Sequence, residues 1–157
     1  MGVAPAATLY AVKVLSAGGS GNWSWLISGI DRCIKRRIKV LSMSLGGASA
    51  PSALEAMCNA AWNKELLLIA AAGNSGATSS PGVGVPAKYA NVIAVSAIDN
   101  ASTIAPFSSR GPEVELSAPG ASALHAPGRG SRKDERHEHG VPACKWGRGR
   151  CLGRSSI

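Results

Sequence analysis

Histidine is nearly absent from this chain of 157 residues: only three occur, and His125, His137 and His139 all lie beyond residue 120. The first 120 residues therefore hold no imidazole for general-base work near neutral pH. Aromatic residues make up only 4%, so any core must be built from small and aliphatic side chains. Long apolar runs are missing too. The longest, Leu66 to Ala72, falls far short of a bilayer span, which argues against a membrane partner. The four cysteines, Cys33, Cys58, Cys144 and Cys151, show no Cys-x-x-Cys spacing. Their even count allows disulfides, but Cys33 and Cys58 fall in helical patterns and read as small buried apolar residues. The opening Gly2-Val3-Ala4-Pro5 lacks the charged start and apolar stretch of a signal peptide. The chain begins as though in the middle of a domain, and its compartment is not legible.

What is abundant is Ala, Gly and positive charge. The net charge is +8, unevenly placed. Residues 1–120 carry nine Lys or Arg against six acids, and residues 121–157 carry eight against three. The tail interleaves Gly128, Gly130, Gly140, Gly147, Gly149 and Gly153 with basic residues and shows no helical or strand period, so it is expected to be disordered. A basic tail invites a nucleic-acid reading. With Trp146 as its one aromatic, however, it has little to stack on bases, and nucleic acid is not the expected partner. A zinc site from His137, His139, Cys144 and Cys151 fits no common ligand spacing.

Before the tail, the patterning is that of one α/β domain. Thr8 to Val14 is β-rich and loosely alternating, and a Gly/Ser turn over residues 16–21 follows. From Trp23 to Arg37, Leu26, Ile27, Ile30, Cys33 and Ile34 keep three-to-four spacing, the stripe of a helix with one buried face. Val40 to Met43 reads as a short buried strand. Ser52 as N-cap, with Glu55 three residues later, predicts a capping box opening a helix through Asn63. Leu66 to Ala71, Val92 to Ala97 and Val114 to Ala118 read as further strands. Strands alternating with helices imply a parallel sheet with helices on both faces. Functional groups in such sheets gather at the carboxyl ends of strands, where Gly46-Gly47 and Gly73-Asn74 stand.

The sharpest chemical signal is Ala70-Ala71-Ala72-Gly73-Asn74-Ser75-Gly76, directly after the apolar run 66–69. An Asn amide held at a strand end, beside glycines that allow close approach, can stabilise a developing oxyanion. Alone, Gly-Asn-Ser-Gly is also ordinary turn chemistry. Together with Ser42-Met43-Ser44-Leu45-Gly46-Gly47 and Phe107-Ser108-Ser109-Arg110-Gly111-Pro112, in that order, it resembles the subtilisin-like serine proteases, the subtilases. The likeness runs from about Gly2 to Gly120. It includes Gly-Val-Ala-Pro, Leu-Tyr-Ala-Val-Lys-Val-Leu and Ala118-Pro119-Gly120.

The resemblance implies an incomplete subtilisin-like α/β fold over residues 1–120, acting on an extended polypeptide by acyl transfer. Asn74 would be the oxyanion-hole amide; in subtilisin itself, loss of such a donor costs roughly a hundred- to thousand-fold in turnover. Ser44, Leu45 and Gly46 would pair their backbone with one side of a substrate strand, and Gly19, Ser20 and Gly21 with the other. Ala71, Ala72, Gly73 and Gly84 would wall the primary specificity pocket, and Trp23 and Leu26 a second apolar subsite. Trp23 serves equally well as a helix-end packing residue. The resemblance also implies a cis bond at Val85-Pro86. No cofactor is required; calcium is the one the family allows, through the carbonyls of Ala87, Tyr89 and Val92, with Glu113 or Glu115 nearby.

The departures are as informative. In subtilases the carboxylate and the His-Gly-Thr-His segment precede the Gly-Val-Ala-Pro block, and here only Met1 does. The nucleophile segment Gly-Thr-Ser-Met-Ala should follow Ala-Pro-Gly and is absent. A triad needs nucleophile, base and orienting carboxylate together, so the 157 residues as written are expected to be inactive. Shifting the reading frame by one nucleotide near Ala123 allows Asp134 to Lys145 to be recoded as Met-Asn-Gly-Thr-Ser-Met-Ala-Cys-Pro-His-Val. The Arg- and Gly-rich tail is then an Ala- and Gly-rich helix read out of frame. A non-catalytic peptide-binding protein on the same scaffold is the alternative.

Overall fold

A computed structural model describes residues 4–76, 82–99 and 101–120. The expectations for the tail, including its disorder, the shifted frame and the His/Cys zinc set, lie outside the described residues. Six elements follow one another: α1 (Trp23–Lys35), β1 (Val40–Met43), α2 (Ser52–Trp62), β2 (Leu67–Ala71), β3 (Ile93–Ile98) and β4 (Val114–Pro119). The strands form one parallel sheet in the order β1-β2-β3-β4. Val40 stands beside Leu67, Ile69 beside Ile93, and Ala94 beside Val114, with one register slip where Val95 pairs with Leu116. The α/β class and parallel sheet agree with the sequence pattern.

The helical stripe explains the packing. Leu26, Ile30 and Cys33 of α1 and Leu54, Cys58 and Ala61 of α2 are buried in one cluster with Met43, Leu68, Ala70 and Ala94 from the sheet. The two helices also pack on each other. Alternate sheet residues, Ala71 and Val95 with Ile69, Ile93 and Ala118, form a smaller cluster on the opposite face. Both helices among the described residues thus lie on one face, and a helical layer on the other is not among them. Cys33 and Cys58 are buried and free, as their helical phase suggests. Burial, and secondarily Glu55, pushes the Cys58 thiol up to about 11. Burial first, with Glu55 and Cys58 adding to it, also raises the Tyr89 phenol. No helix among the described residues is long and apolar enough to cross a membrane.

Three local expectations are corrected. The helix over 23–37 stops at Lys35 because Arg37 adopts a left-handed conformation, φ 55°. The Ile38 N–H then donates to the Cys33 carbonyl at 3.1 Å and the Arg37 N–H to the Ile34 carbonyl at 2.9 Å, which is a Schellman closure without glycine. Ser52 is not the N-cap of α2. Pro51 is, with φ −66° and ψ 149°, and no side chain caps the helix. Proline's fixed φ places the boundary one residue early and leaves Ser52 in the first turn. Finally, Thr8 to Val14 is not a strand. Among the described residues no backbone hydrogen bond reaches it, and a strand is defined by its neighbour.

Candidate functional site

The carboxyl ends of β1 and β2 are tied together by a loop that returns from residues 82–86. Gly47 donates its N–H to the Val85 carbonyl at 3.0 Å, and Val85 returns the bond to the Gly47 carbonyl at 2.9 Å. The Gly84 N–H donates to the Ala72 carbonyl at 2.9 Å. These bonds need small residues. A Cβ on Gly46 would sit 2.7 Å from the Val85 carbonyl oxygen, and one on Gly84 would sit 3.1 Å from the Gly47 oxygen. The Val85-Pro86 bond is cis.

Beyond β2 the chain turns sharply at Gly73, whose φ of +111° disfavours a side chain. Ser109 clasps this turn: its N–H donates to the Gly73 carbonyl at 2.9 Å and its hydroxyl accepts from the Ser75 N–H at 3.0 Å. Ser108 beside it is buried and accepts the Ala97 N–H at 2.9 Å. Between the clasped residues stands Asn74. Its Oδ1 is buried with no hydrogen-bond partner among the described residues, an arrangement that costs about 1–3 kcal/mol.

A cavity of about 430 Å³ opens on the near side of this end of the sheet. Three stretches line it: Val14 and Leu15; Gly19 to Trp23 with Leu26; and Ser44, Leu45 and Gly46. None of these residues is charged. Trp23 also packs on Gly47, where an added Cβ would come within 2.9 Å of the indole. Trp23 thus packs at the helix start and also lines the cavity.

The structure thus brings eight of the sequence-derived residues, Gly19, Ser20, Gly21, Trp23, Leu26, Ser44, Leu45 and Gly46, into one groove. Ala72, Gly73, Gly84 and Asn74 form the adjoining strand-end cluster, joined to it through Gly46 and Gly47. Ala71 differs: its side chain packs with Val95 on the opposite face. Sequence reasoning missed the Gly47–Val85 bridge, the lining by Val14, Leu15 and Asn22, and the role of Ser109. The duplicated serine at 108 and 109 was the only trace of the last. Of the three carbonyls the resemblance offers for calcium, that of Tyr89 accepts the Val92 N–H at 3.0 Å and keeps a second lone pair. Among the described residues no group of three acidic, His or Cys side chains stands together.

The model of the subtilase family matches residues 1–145. The chain belongs to the subtilase family. Subtilisin amylosacchariticus of Bacillus subtilis subsp. amylosacchariticus is 47% identical over 123 residues, covering 78% of this chain and 32% of that protein. A thermostable alkaline protease of Halalkalibacterium halodurans is 48% identical over 120 residues, covering 76% and 32% respectively. Among solved structures, Sphericase superposes with a TM-score of 0.62 at 34% identity, over 69% of this chain and 42% of its own. The subtilisin-like protease Apa1 of the Antarctic psychrotroph Pseudoalteromonas sp. AS-11 gives 0.61 at 38%, over 69% and 24%. The chain spans about a third of the length of the curated relatives it matches.

Proposed function

We propose that this chain carries the substrate groove and oxyanion turn of a subtilisin-like serine endopeptidase and, in the 157 residues as written, binds extended peptide without hydrolysing it. The observation that carries the reading is that 19–21 and 44–46, distant in sequence, line one uncharged cavity. An extended peptide in such a cavity can exchange main-chain hydrogen bonds with both. Trp23 and Leu26 offer apolar contact to one substrate side chain. Ala72, Gly73 and Gly84 leave room for another, and Ala71 supports them from the opposite face.

At the strand end, the Asn74 amide would donate to the carbonyl oxygen as it becomes an oxyanion. It is worth most when held in place before the reaction. The Ser109 clasp supports that role, because it fixes the backbone on both sides of Asn74. Acyl transfer further needs nucleophile, base and orienting carboxylate, and the family's segments for these are absent from the sequence. Groove and oxyanion donor alone leave only a residual effect over water.

The test is titration of the 157-residue chain with a blocked apolar tetrapeptide, followed by NMR shifts, beside a hydrolysis assay with the same peptide. Shifts confined to 19–23, 44–46 and 72–74, with no cleavage above background, are the expected result. Cleavage abolished by a serine-directed acylating inhibitor would refute the inactive reading, and absence of shifts would refute the groove.

A further inference from the structure

Asn74 is the only asparagine of the sequence that is followed by serine or glycine. A small next residue leaves the following backbone nitrogen free to attack the asparagine side chain, so Asn74-Ser75 is where bulk hinders that reaction least in this chain. The reaction balances with water alone. The Ser75 nitrogen gives its proton to a base in solvent and bonds to Asn74 Cγ. The Cγ–Nδ2 bond breaks, and Nδ2 takes up a proton and leaves as ammonia. Water then opens the five-membered imide at either carbonyl. The product is aspartate in the ordinary chain, or isoaspartate with the chain running through Cγ.

In the fold, the nitrogen that must attack is held. The Ser75 N–H donates to the Ser109 hydroxyl at 3.0 Å, and Ser109 is fully buried, so the proton that has to leave first points at a buried oxygen. This bond is one stitch of a strap. On one side of it the Ser109 N–H donates to the Gly73 carbonyl at 2.9 Å, and on the other the Gly76 N–H donates to the Phe107 carbonyl at 2.9 Å. The strap is pinned to the sheet in turn, because the Ser108 hydroxyl accepts the Ala97 N–H of β3 at 2.9 Å. Closing the imide requires the Ser75 nitrogen to swing toward Asn74 Cγ and away from Ser109, while residues 73 and 76 stay tied. A buried N–H that loses its acceptor costs free energy, and that cost adds to the barrier.

We propose that Asn74 is a deamidation site that the Ser109 hydroxyl keeps closed in the folded chain and that local opening of the 107–109 strap releases. Water is the co-reactant. The consequence rests on the oxyanion role proposed for Asn74. Aspartate at 74 presents a carboxylate, which accepts hydrogen bonds and donates none, where a developing oxyanion needs a donor. Each opening of the turn thus risks an irreversible loss of that donor. The hydroxyl that steadies the turn also sets the chemical lifetime of the site.

Ammonia release and isoaspartate at residue 74, followed by peptide mapping in mildly alkaline buffer, test this. The samples are the 157-residue chain, its Ser109→Ala, Ser109→Thr and Ile30→Val variants, and the free peptide Ala-Ala-Gly-Asn-Ser-Gly. The folded chain should react at least about tenfold more slowly than the free peptide, as protection by local structure implies. Ser109→Ala should speed the reaction by about tenfold, through the loss of one buried bond. Ser109→Thr keeps the hydroxyl and should lie nearer the rate of the unchanged chain. Ile30→Val thins the core beneath α1 without touching the turn and should leave the rate at 74 unchanged. Three results would overturn the proposal: a folded chain that reacts as fast as the free peptide, Ser109→Ala no faster than the unchanged chain, or Ile30→Val accelerating as much as Ser109→Ala. The last would make global unfolding the route. The readout uses no peptide ligand, so a groove that failed to bind substrate would leave it untouched.

Discussion

Ser109 holds the turn before Asn74 and the turn after it with one residue: its N–H bonds the Gly73 carbonyl at 2.9 Å, and its hydroxyl takes the Ser75 N–H at 3.0 Å. Ser109 is itself fully buried, so neither bond can be exchanged for water without local opening. The Asn74 side chain, lacking a partner for its carbonyl oxygen, depends on this clasp for its position.

Ser109→Ala should therefore strand the Ser75 N–H and cost about 1–3 kcal/mol. Denaturation midpoints measure the loss, and exchange of the Ser75 amide should accelerate much more than that of the Leu68 or Ala94 amides in the sheet. Ser109→Thr keeps the hydroxyl and should recover part of the exchange protection. Equal acceleration throughout the sheet would show that Ser109 is merely a core residue.

Gly46→Ala places a methyl 2.7 Å from the Val85 carbonyl, against backbone that cannot rotate away. The Gly47–Val85 bridge should open and the groove wall shift. Peptide affinity should fall by about tenfold or more, in keeping with the 1–3 kcal/mol typical of forced repacking. The helices should remain intact by circular dichroism, because the clash falls on the Val85 carbonyl and not on either helix. An unchanged affinity would place the peptide elsewhere.

Cys58 makes stability fall in alkali. Below pH 9 the thiol is protonated in folded and unfolded chains alike, and its burial costs nothing. Its folded value lies near 11 against 9.0 when free. Between those values the unfolded thiol ionises while the folded one cannot, so stability is lost as pH rises through that window. Denaturation midpoints measured from pH 8 to 11 should decline, and Cys58→Ala should flatten the decline over that span. The native thiol should also react slowly with alkylating reagents.

The nucleotide sequence behind residues 121–157 provides a chemical-free check. Shifted by one position near codon 123, it should stay open and encode Gly-Thr-Ser-Met-Ala over the codons of 134–145. A stop codon within that stretch, or other residues there, would overturn the shifted reading. Joined to the upstream carboxylate and histidine of the family, the shifted product should hydrolyse peptides, with Asn74 as oxyanion donor.

Much of this molecule could be read along the chain. The stripe Leu26, Ile30, Cys33 located α1 and its buried face. The run 66–71 located β2, and Gly73-Asn74 located the turn beyond it. Such features depend on residues within a few positions of one another, where periodicity and backbone preference act directly. The tertiary structure decided what depends on distant chain returning. Ser109 reaches Ser75 across 34 residues, and Val85 reaches back to Gly47 only because Gly46 and Gly84 let two backbones touch. It also decided that Thr8–Val14, strand-like in composition, is no strand. Composition reports what a backbone can pair with, and pairing itself requires a neighbour, which only the packed chain supplies or withholds.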